Sequence, residues 1–191
     1  MCKNRQITTT IGGIPLLLET SQELFSPDRI DGGTMALLSR LEFTADDKVL
    51  DLGCGYGIVG ILAAKTVGQQ NVVMSDISEQ AIRLSKENAV LNGVPDVKIV
   101  QSNGFSSLSD TDFTLILSNP PYHADFSVPK HFIEKGFNRL TIGGKMYMVT
   151  KRRDWYQHKF TAIFGGVRVD EVDGYYVFCA EKRSAKYGRK T

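Results

Sequence analysis

The apolar residues of this chain switch repeatedly between the two-residue period of a strand and the 3.6-residue period of a helix. Strands are predicted at residues 48–52, 71–75, 97–101, 113–118, 145–150, 167–172 and 175–180. Helices are predicted from about residue 32, up to about residue 65, and at 78–92, 129–140 and 154–164. This alternation is typical of an α/β fold with a mostly parallel, seven-stranded sheet and helices on both faces. The Asp173-Gly174 pair predicts a closing antiparallel hairpin.

Length and apolar content predict one domain. A chain of 191 residues suits a single substantial core, so residues 1–191 are expected to form one domain. Residues 1–30 are expected to be an N-terminal extension with a short hairpin, and 182–191 a basic tail. No apolar run reaches the roughly 18 residues of a membrane span, and no signal peptide begins the chain. A cytoplasmic protein is therefore expected. The three cysteines have no paired spacing, which predicts neither a disulfide nor a metal site.

Charge is distributed unevenly along the chain, although the net charge is only +2. Residues 1–119 carry 9 basic and 14 acidic side chains, a net charge of −5. Residues 120–191 carry 14 basic and 7 acidic side chains, a net charge of +7. A basic C-terminal third favours contact with a polyanion. The alternative is a solvated basic face with no partner.

A Gly-rich segment follows the first strand of the predicted sheet. Residues 51–57 read Asp-Leu-Gly-Cys-Gly-Tyr-Gly, and Asp76 ends the second strand. Residues 55–60 also fit the dinucleotide fingerprint, so the glycines alone leave a nicotinamide cofactor open. Asp51, before the first glycine, favours a cationic ligand over a pyrophosphate. The candidate cofactor contacts at these strand ends are Asp51, Gly53, Cys54, Gly55, Gly57, Asp76 and Ile77.

A polar turn follows the third strand, at the same predicted edge of the sheet. Asn103 offers hydrogen-bonding groups to an adenine base, Gly104 permits close approach, and Phe105 is expected to pack beside the ring. A plain Asn-Gly turn explains the first two residues equally well.

The most specific motif is Asn119-Pro120-Pro121-Tyr122, directly after the fourth strand. The two prolines end the strand and fix a rigid, extended exit. The Asn119 side-chain oxygen and the Pro120 carbonyl can each accept an N–H from an exocyclic amine, which aims the nitrogen lone pair at a methyl donor. Tyr122 offers a flat face to a planar substrate. His123 is a candidate substrate contact without an assigned proton-transfer role.

With these motifs the chain resembles the methyltransferase small-domain family, and within it the catalytic domain of bacterial 16S rRNA guanine-N2 methyltransferases. The resemblance implies the Rossmann-like fold of class I methyltransferases, S-adenosylmethionine (SAM) as methyl donor, S-adenosylhomocysteine as product, and ribosomal RNA or a ribosomal subunit as partner. Residues 24–34 resemble the family's Phe-Ser…Asp-x-Gly-(Ser/Thr) segment. That resemblance implies pocket positions for Phe25, Asp31 and Thr34.

Two departures from the family leave the acceptor open. The chain has no room for the second methyltransferase-like domain of many rRNA enzymes, and it has Tyr122 where they usually have phenylalanine. The Asn-Pro-Pro-Tyr form also occurs in enzymes that methylate adenine N6 or the glutamine amide of release factors. An NAD-dependent oxidoreductase and a non-catalytic RNA-binding module are the remaining alternatives.

A basic segment follows the fifth strand. Lys151, Arg152 and Arg153 are candidate phosphate contacts, and Trp155 and Tyr156 follow within one turn. Cations beside aromatic side chains are typical of single-stranded RNA binding. The alternative is that Trp155 packs into the core and the cations are only solvated.

Overall fold

The computed structural model describes residues 5–21, 29–121 and 125–188. The strands are β1 (Arg5–Ile11), β2 (Ile14–Thr20), β3 (Val49–Leu52), β4 (Val72–Asp76), β5 (Lys98–Gln101), β6 (Phe113–Ser118), β7 (Leu140–Thr150), β8 (Arg168–Val172) and β9 (Tyr175–Glu181). The helices are α1 (Gly32–Leu38), α2 (Ile58–Val67), α3 (Glu79–Leu91), α4 (Ser127–Arg139) and α5 (Arg153–Phe164), with a 3-10 turn at Gln69–Asn71. The element types and their order confirm the predicted α/β fold.

The central sheet has seven strands in the order β5-β4-β3-β6-β7-β9-β8. The first five of these strands are parallel, and β9 runs antiparallel to both β7 and β8. The closing hairpin is therefore where the Asp173-Gly174 pair predicts it. Because β3, β4 and β6 are parallel neighbours, the residues that follow them lie at one edge of the sheet.

Two apolar cores pack on opposite faces of the sheet. One core joins the sheet to β2, α1, α2 and α3, with Leu18, Ile61 and Leu84 fully buried. The other core joins it to α4 and α5, with Phe137 and Phe160 fully buried. Both faces are thus covered, as a parallel sheet requires. Within the described ranges, no helix is long and apolar enough to cross a membrane.

Strand β7 begins five residues earlier than predicted. The Gly143-Gly144 pair suggests a turn before the strand, but both glycines lie inside β7, where its register against β6 shifts. A Cβ atom on Gly144 would lie 2.8 Å from the Phe113 carbonyl oxygen. The pair therefore permits a close backbone approach within the sheet and does not end an element.

The start of the predicted basic tail belongs to the folded domain. Lys182 is buried, and its Nζ atom donates to the Leu140 carbonyl at 2.6 Å and lies over the Phe137 ring. Tyr187 packs edge-on against the same ring at 5.0 Å. Lys182 and Tyr187 of the predicted basic tail therefore pack against the end of α4, whereas Arg183 and Lys186 are exposed.

Asn88 of α3 and Asn92, the residue that caps the end of this helix, hold the N-terminal hairpin in place. Asn88 Oδ1 accepts the Glu19 N–H at 2.7 Å, and its Nδ2 donates to the carbonyls of Glu19 at 2.9 Å and Tyr56 at 2.8 Å. Asn92, one turn later, makes the same pair of hydrogen bonds to the Leu17 backbone. These side chains satisfy backbone groups of β2 that have no neighbouring strand on that side.

Replacing Asn88 by alanine is expected to lower the free energy of unfolding by about 2–4 kcal/mol. The Asn88 side chain is fully buried, and its loss leaves three backbone polar groups without their partner. Urea denaturation checks this, with Lys86→Ala on the exposed face of α3 as the control, expected within about 0.5 kcal/mol of wild type. Equal stability of the two variants would show that Asn88 does not anchor the hairpin.

Candidate active site

A cavity of about 440 Å³ lies at the sheet edge where β3, β4 and β6 end. Its wall combines these strand ends with α1 and the start of α4. The predicted site residues that line it are Asp31, Thr34, Asp51, Gly53, Cys54, Gly55, Asp76, Ile77, Asn103, Gly104, Asn119, Pro120 and Pro121. Residues from five separate segments of the sequence therefore meet in one place.

The Gly-rich loop is held against β4 by its own backbone. The N–H groups of Gly53 and Cys54 both donate to the Ser75 carbonyl, at 2.8 and 2.9 Å. The Gly55 N–H donates to Asp76 Oδ2 at 2.9 Å. Burial raises the pKa of the Cys54 thiol well above its ordinary value, so this thiol stays neutral. The loop thus supplies shape and backbone groups to the cavity and no nucleophile.

Gly57 does not line the cavity, although it belongs to the motif. It precedes α2 with φ +98°, and a Cβ atom there would lie 2.8 Å from Met74 Cε and 3.1 Å from Ser85 Oγ. Both the backbone conformation and the space demand glycine. Its role in the structure is to pack the loop onto α3 and β4, which differs from the predicted direct contact with a cofactor.

Asp51 is a buried carboxyl group in the cavity wall. Only 3% of the residue is exposed, and Oδ2 accepts the Gly60 N–H at 2.8 Å. Burial, with a smaller contribution from the Asp76 charge, raises the pKa of Asp51 to about 7. An ionised Asp51 therefore costs stability unless a cation lies against it. A ligand that carries positive charge would reduce the free-energy cost of ionising Asp51.

Asp76 ends β4, and both of its carboxylate oxygens accept hydrogen bonds from backbone N–H groups. Oδ2 accepts from Gly55 and Oδ1 accepts the Ser78 N–H at 2.9 Å. Each oxygen retains lone-pair capacity for a further donor such as a sugar hydroxyl. Ile77 follows in the cavity wall and is 63% exposed, an apolar side chain available to cover a flat ring.

Asn119 lies across the cavity with its amide held in one orientation. Its Nδ2 donates to Asp31 Oδ2 at 2.7 Å and to Thr34 Oγ1 at 3.0 Å. Asp31 Oδ2 also accepts the Thr34 N–H at 3.0 Å and caps α1. Asn119 Oδ1 is buried, and no donor among the described residues reaches it. Among the described residues, the amide oxygen is therefore an acceptor without a donor.

Phe105 is not at the cavity, which corrects the prediction that it packs beside a base. It is buried in the core beneath α4, where its ring meets Phe132 edge-on at 6.5 Å. Phe132 itself lines the cavity. The backbone turn at Gly104 directs the phenylalanine inward, and the ring at the cavity comes from a helix that follows the catalytic motif. No local sequence pattern identifies Phe132 as that residue.

Three predicted contacts lie outside the described residues. These are Phe25, Tyr122 and His123. Their predicted roles stay predictions.

The basic segment after β7 does not line the cavity. Each cation lies over an aromatic ring: Lys151 over Tyr175 at 4.8 Å, Arg152 over Phe126 at 4.9 Å and Arg153 over Tyr176 at 5.7 Å. All three basic residues are exposed.

The two aromatic residues that follow this segment pack against other side chains of the protein. Trp155 stacks on Phe126 at 4.5 Å and is half-buried. Tyr156 is buried against Phe178. The prediction that these two rings stack on bases was wrong for Tyr156, and the alternative of Trp155 packing onto the core describes its observed contacts.

The sheet order and the shared edge of Asp51, Asp76 and Asn119 define a class I methyltransferase fold. The model of the methyltransferase small domain matches residues 16–179, and the chain belongs to this family. Family membership decides against the dinucleotide interpretation of the glycine motif.

Individual relatives agree with the family assignment. An uncharacterized protein, YbxB, of Bacillus subtilis (strain 168) is 33% identical over 83% of this chain and 82% of its own length. Ribosomal RNA small subunit methyltransferase C of Pseudoalteromonas atlantica is 32% identical over 83% of this chain and 47% of its own. The chain therefore spans about half the length of that rRNA enzyme.

A solved structure is similar in fold and sequence. The T. thermophilus 16S rRNA N2 G1207 methyltransferase, in complex with AdoMet and guanosine, superposes with a TM-score of 0.80 and 25% identity. The match covers 94% of this chain and 51% of that enzyme.

Asp51 predicts a measurable pH dependence of stability. Its pKa is about 7 in the folded protein against 3.8 as the ordinary value, so folding favours the protonated form. Its contribution to stability is therefore full below about pH 4, decreases as the pH rises and levels off above about pH 7. Between pH 5 and pH 7 the loss is about 2–3 kcal/mol.

The Asp51→Asn variant isolates this contribution, because it keeps the shape and the acceptor for Gly60. The difference in unfolding free energy between variant and wild type is expected to grow with pH over that range, measured by urea denaturation at fixed ionic strength. A difference that stays constant from pH 5 to pH 8 would contradict the raised pKa.

Proposed function

We propose that this protein is a SAM-dependent methyltransferase that methylates an exocyclic amino group of a nucleobase, namely guanine N2 in ribosomal RNA. We expect an enzyme with this substrate to act in the cytoplasm. S-adenosylhomocysteine is the second product.

The observation that carries the proposal is the Asn119 amide. Asp31 and Thr34 engage its nitrogen, and its buried oxygen has no partner among the described residues. A buried acceptor without a donor costs stability, so such a group persists where a ligand satisfies it. The ligand that fits is a donor, such as the N–H of a planar amine.

The residues of the cavity fit SAM as the methyl donor. Asp51 would face its positive charge, and Asp76 would accept hydrogen bonds from its ribose hydroxyls. Ile77 and Phe132 would cover the adenine ring, with Asn103 at its polar edge. When bound, SAM supplies a methyl group that its sulfonium already activates.

The protein's own contribution to catalysis is positioning. An exocyclic amine is a poor nucleophile because its lone pair is delocalised into the ring. Asn119 Oδ1 would accept one N–H and the Pro120 carbonyl the other, which turns the lone pair out of the ring plane towards the methyl group. Holding the amine in this geometry supplies most of the rate enhancement without a strong base.

The named relatives support guanine N2 in particular. Several are ribosomal RNA small subunit methyltransferases C, and the structurally similar T. thermophilus enzyme acts on N2 of a 16S rRNA guanine. A ribosomal subunit is the corresponding partner. Adenine N6 and the glutamine amide stay chemical alternatives, because both present the same amine to the Asn119 clamp.

Transfer of a tritiated methyl group to fractionated RNA and protein tests the proposal directly. Labelled RNA, with N2-methylguanosine found by mass spectrometry of its nucleosides, is the expected result. Label in N6-methyladenosine or in protein glutamine would assign another acceptor. Absence of label from every fraction, with SAM bound, would reject the methyltransferase activity on cellular RNA and protein.

The Asn119→Ala variant is expected to lower kcat by about two orders of magnitude while SAM affinity is retained. Loss of an oriented hydrogen bond in the transition state costs roughly 3 kcal/mol. Calorimetry measures SAM binding and a methyl-transfer assay measures kcat. Near-normal turnover in this variant would remove the proposed role of Asn119.

The Thr34→Val variant tests whether the Asn119 amide must be held in place. Valine keeps the shape and removes one of the two acceptors of Nδ2, so kcat is expected to fall about tenfold. The double variant with Asn119→Ala should then be no slower than Asn119→Ala alone, because both changes act through one amide. Additive losses would show that Thr34 acts independently of Asn119.

A further inference from the structure

A second cavity, of about 760 Å³, opens beside the first along one face of α4. The two cavities share Asn103, Val128 and Phe132 in their walls. We call the second cavity the α4 groove. Its helical side runs from Ser127 to Arg139, about 18 Å at the rise of an α-helix. The α4 groove therefore adjoins the candidate active site at Asn103, Val128 and Phe132.

Basic side chains line the α4 groove at the spacing of one helix face. His131 and Lys135 are exposed, and Arg139 is half-buried. The Arg139 guanidinium donates to the Asp110 carbonyl at 2.8 Å and lies 6.0 Å from the centre of the Phe105 ring. Arg139 is thus fixed in place, whereas no ion pair of Lys135 is found within the described parts of the chain.

Two acidic groups beside the α4 groove are already neutralised, whereas Asp125, before the start of the helix, accepts the Ser127 N–H. Glu134, on the neighbouring face of α4, pairs with Lys159. Asp110, below the end of the helix, pairs with Lys98 at 2.8 Å. With Glu134 and Asp110 paired in this way, the positive charges of Lys135 and Arg139 remain along the groove.

We propose that the α4 groove binds the sugar-phosphate backbone of the RNA strand next to the methylated base. This inference rests on the proposed function and adds where the RNA lies. A positively charged groove beside the candidate active site suits a flexible polyanion such as single-stranded RNA. The target base would enter the active site while the neighbouring nucleotides remain outside it. The basic residues of the groove belong to the basic C-terminal third of the sequence, yet they lie outside the Lys151–Arg153 segment.

The test compares two exposed lysines changed to glutamate. Lys135→Glu removes a cation from the α4 groove and places a carboxylate one turn from Arg139. Lys86→Glu makes the same change of charge on α3, where the residue lines neither cavity. Fluorescence anisotropy would measure the affinity of each protein for a labelled single-stranded RNA of about 16 nucleotides over a range of salt.

Lys135→Glu is expected to weaken RNA binding about tenfold at 0.1 M salt and to reduce the slope of log K against log salt by about 0.7 per lost phosphate contact. Lys86→Glu is expected to bind within about twofold of wild type. SAM affinity, measured by calorimetry, should be unchanged in both variants, which shows that the site itself is intact.

Equal RNA affinities of the two variants would contradict RNA binding in the α4 groove. The proposed methyl transfer would not be affected by that result. Unchanged RNA binding with loss of polyglutamate binding in Lys135→Glu would assign the groove to an acidic protein, which also overturns the inference. A wild-type protein that neither binds RNA nor transfers methyl groups to it would overturn the proposed function as well.

Discussion

The Asp31 carboxylate determines which way the Asn119 amide faces, and the candidate chemistry depends on that orientation. A carboxylate only accepts hydrogen bonds, and Asp31 Oδ2 accepts from both the Thr34 N–H and the Asn119 Nδ2. Rotating the amide by half a turn would set two oxygens against each other. The Asn119 oxygen therefore points away from Asp31, and no donor among the described residues reaches it. A segment before the sheet thus orients a residue at the end of β6.

The order of the parallel strands brings two acidic residues into the same cavity as Asn119. Strands β3, β4 and β6 are neighbours and end at one edge, so Asp51 and Asp76 lie in the same cavity as Asn119. Asp51 is a buried acid whose ionised form is unfavourable without a cation. The wall that contains Asp51 therefore favours a positively charged methyl donor, and the wall that contains Asn119 favours an amine. The two preferences are complementary, since methyl transfer from a sulfonium needs both groups in contact.

Sequence reasoning predicted the parts of the fold that local rules determine. Asp51, Asp76 and Asn119 were identifiable because each follows an apolar strand, and strand ends in a parallel sheet share an edge. The rest depends on long-range contacts that no local pattern contains. Asn88 and Asn92 form hydrogen bonds to residues of β2 that lie 69 and 75 positions away in the sequence, respectively. The phenylalanine at the cavity is Phe132, not Phe105, because that choice depends on how α4 packs.

The central claim concerns a single atom, Asn119 Oδ1, and a structure of the protein with S-adenosylhomocysteine and guanosine tests it most directly. We expect the guanine N2 atom to lie about 2.7–3.2 Å from Asn119 Oδ1, with Nδ2 still bonded to Asp31. We also expect the sulfur of the bound product to face N2 from the side of Asp51. A guanine whose N2 contacts Asn119 Nδ2, or lies outside the cavity while the product fills it, would contradict the proposed role of Asn119.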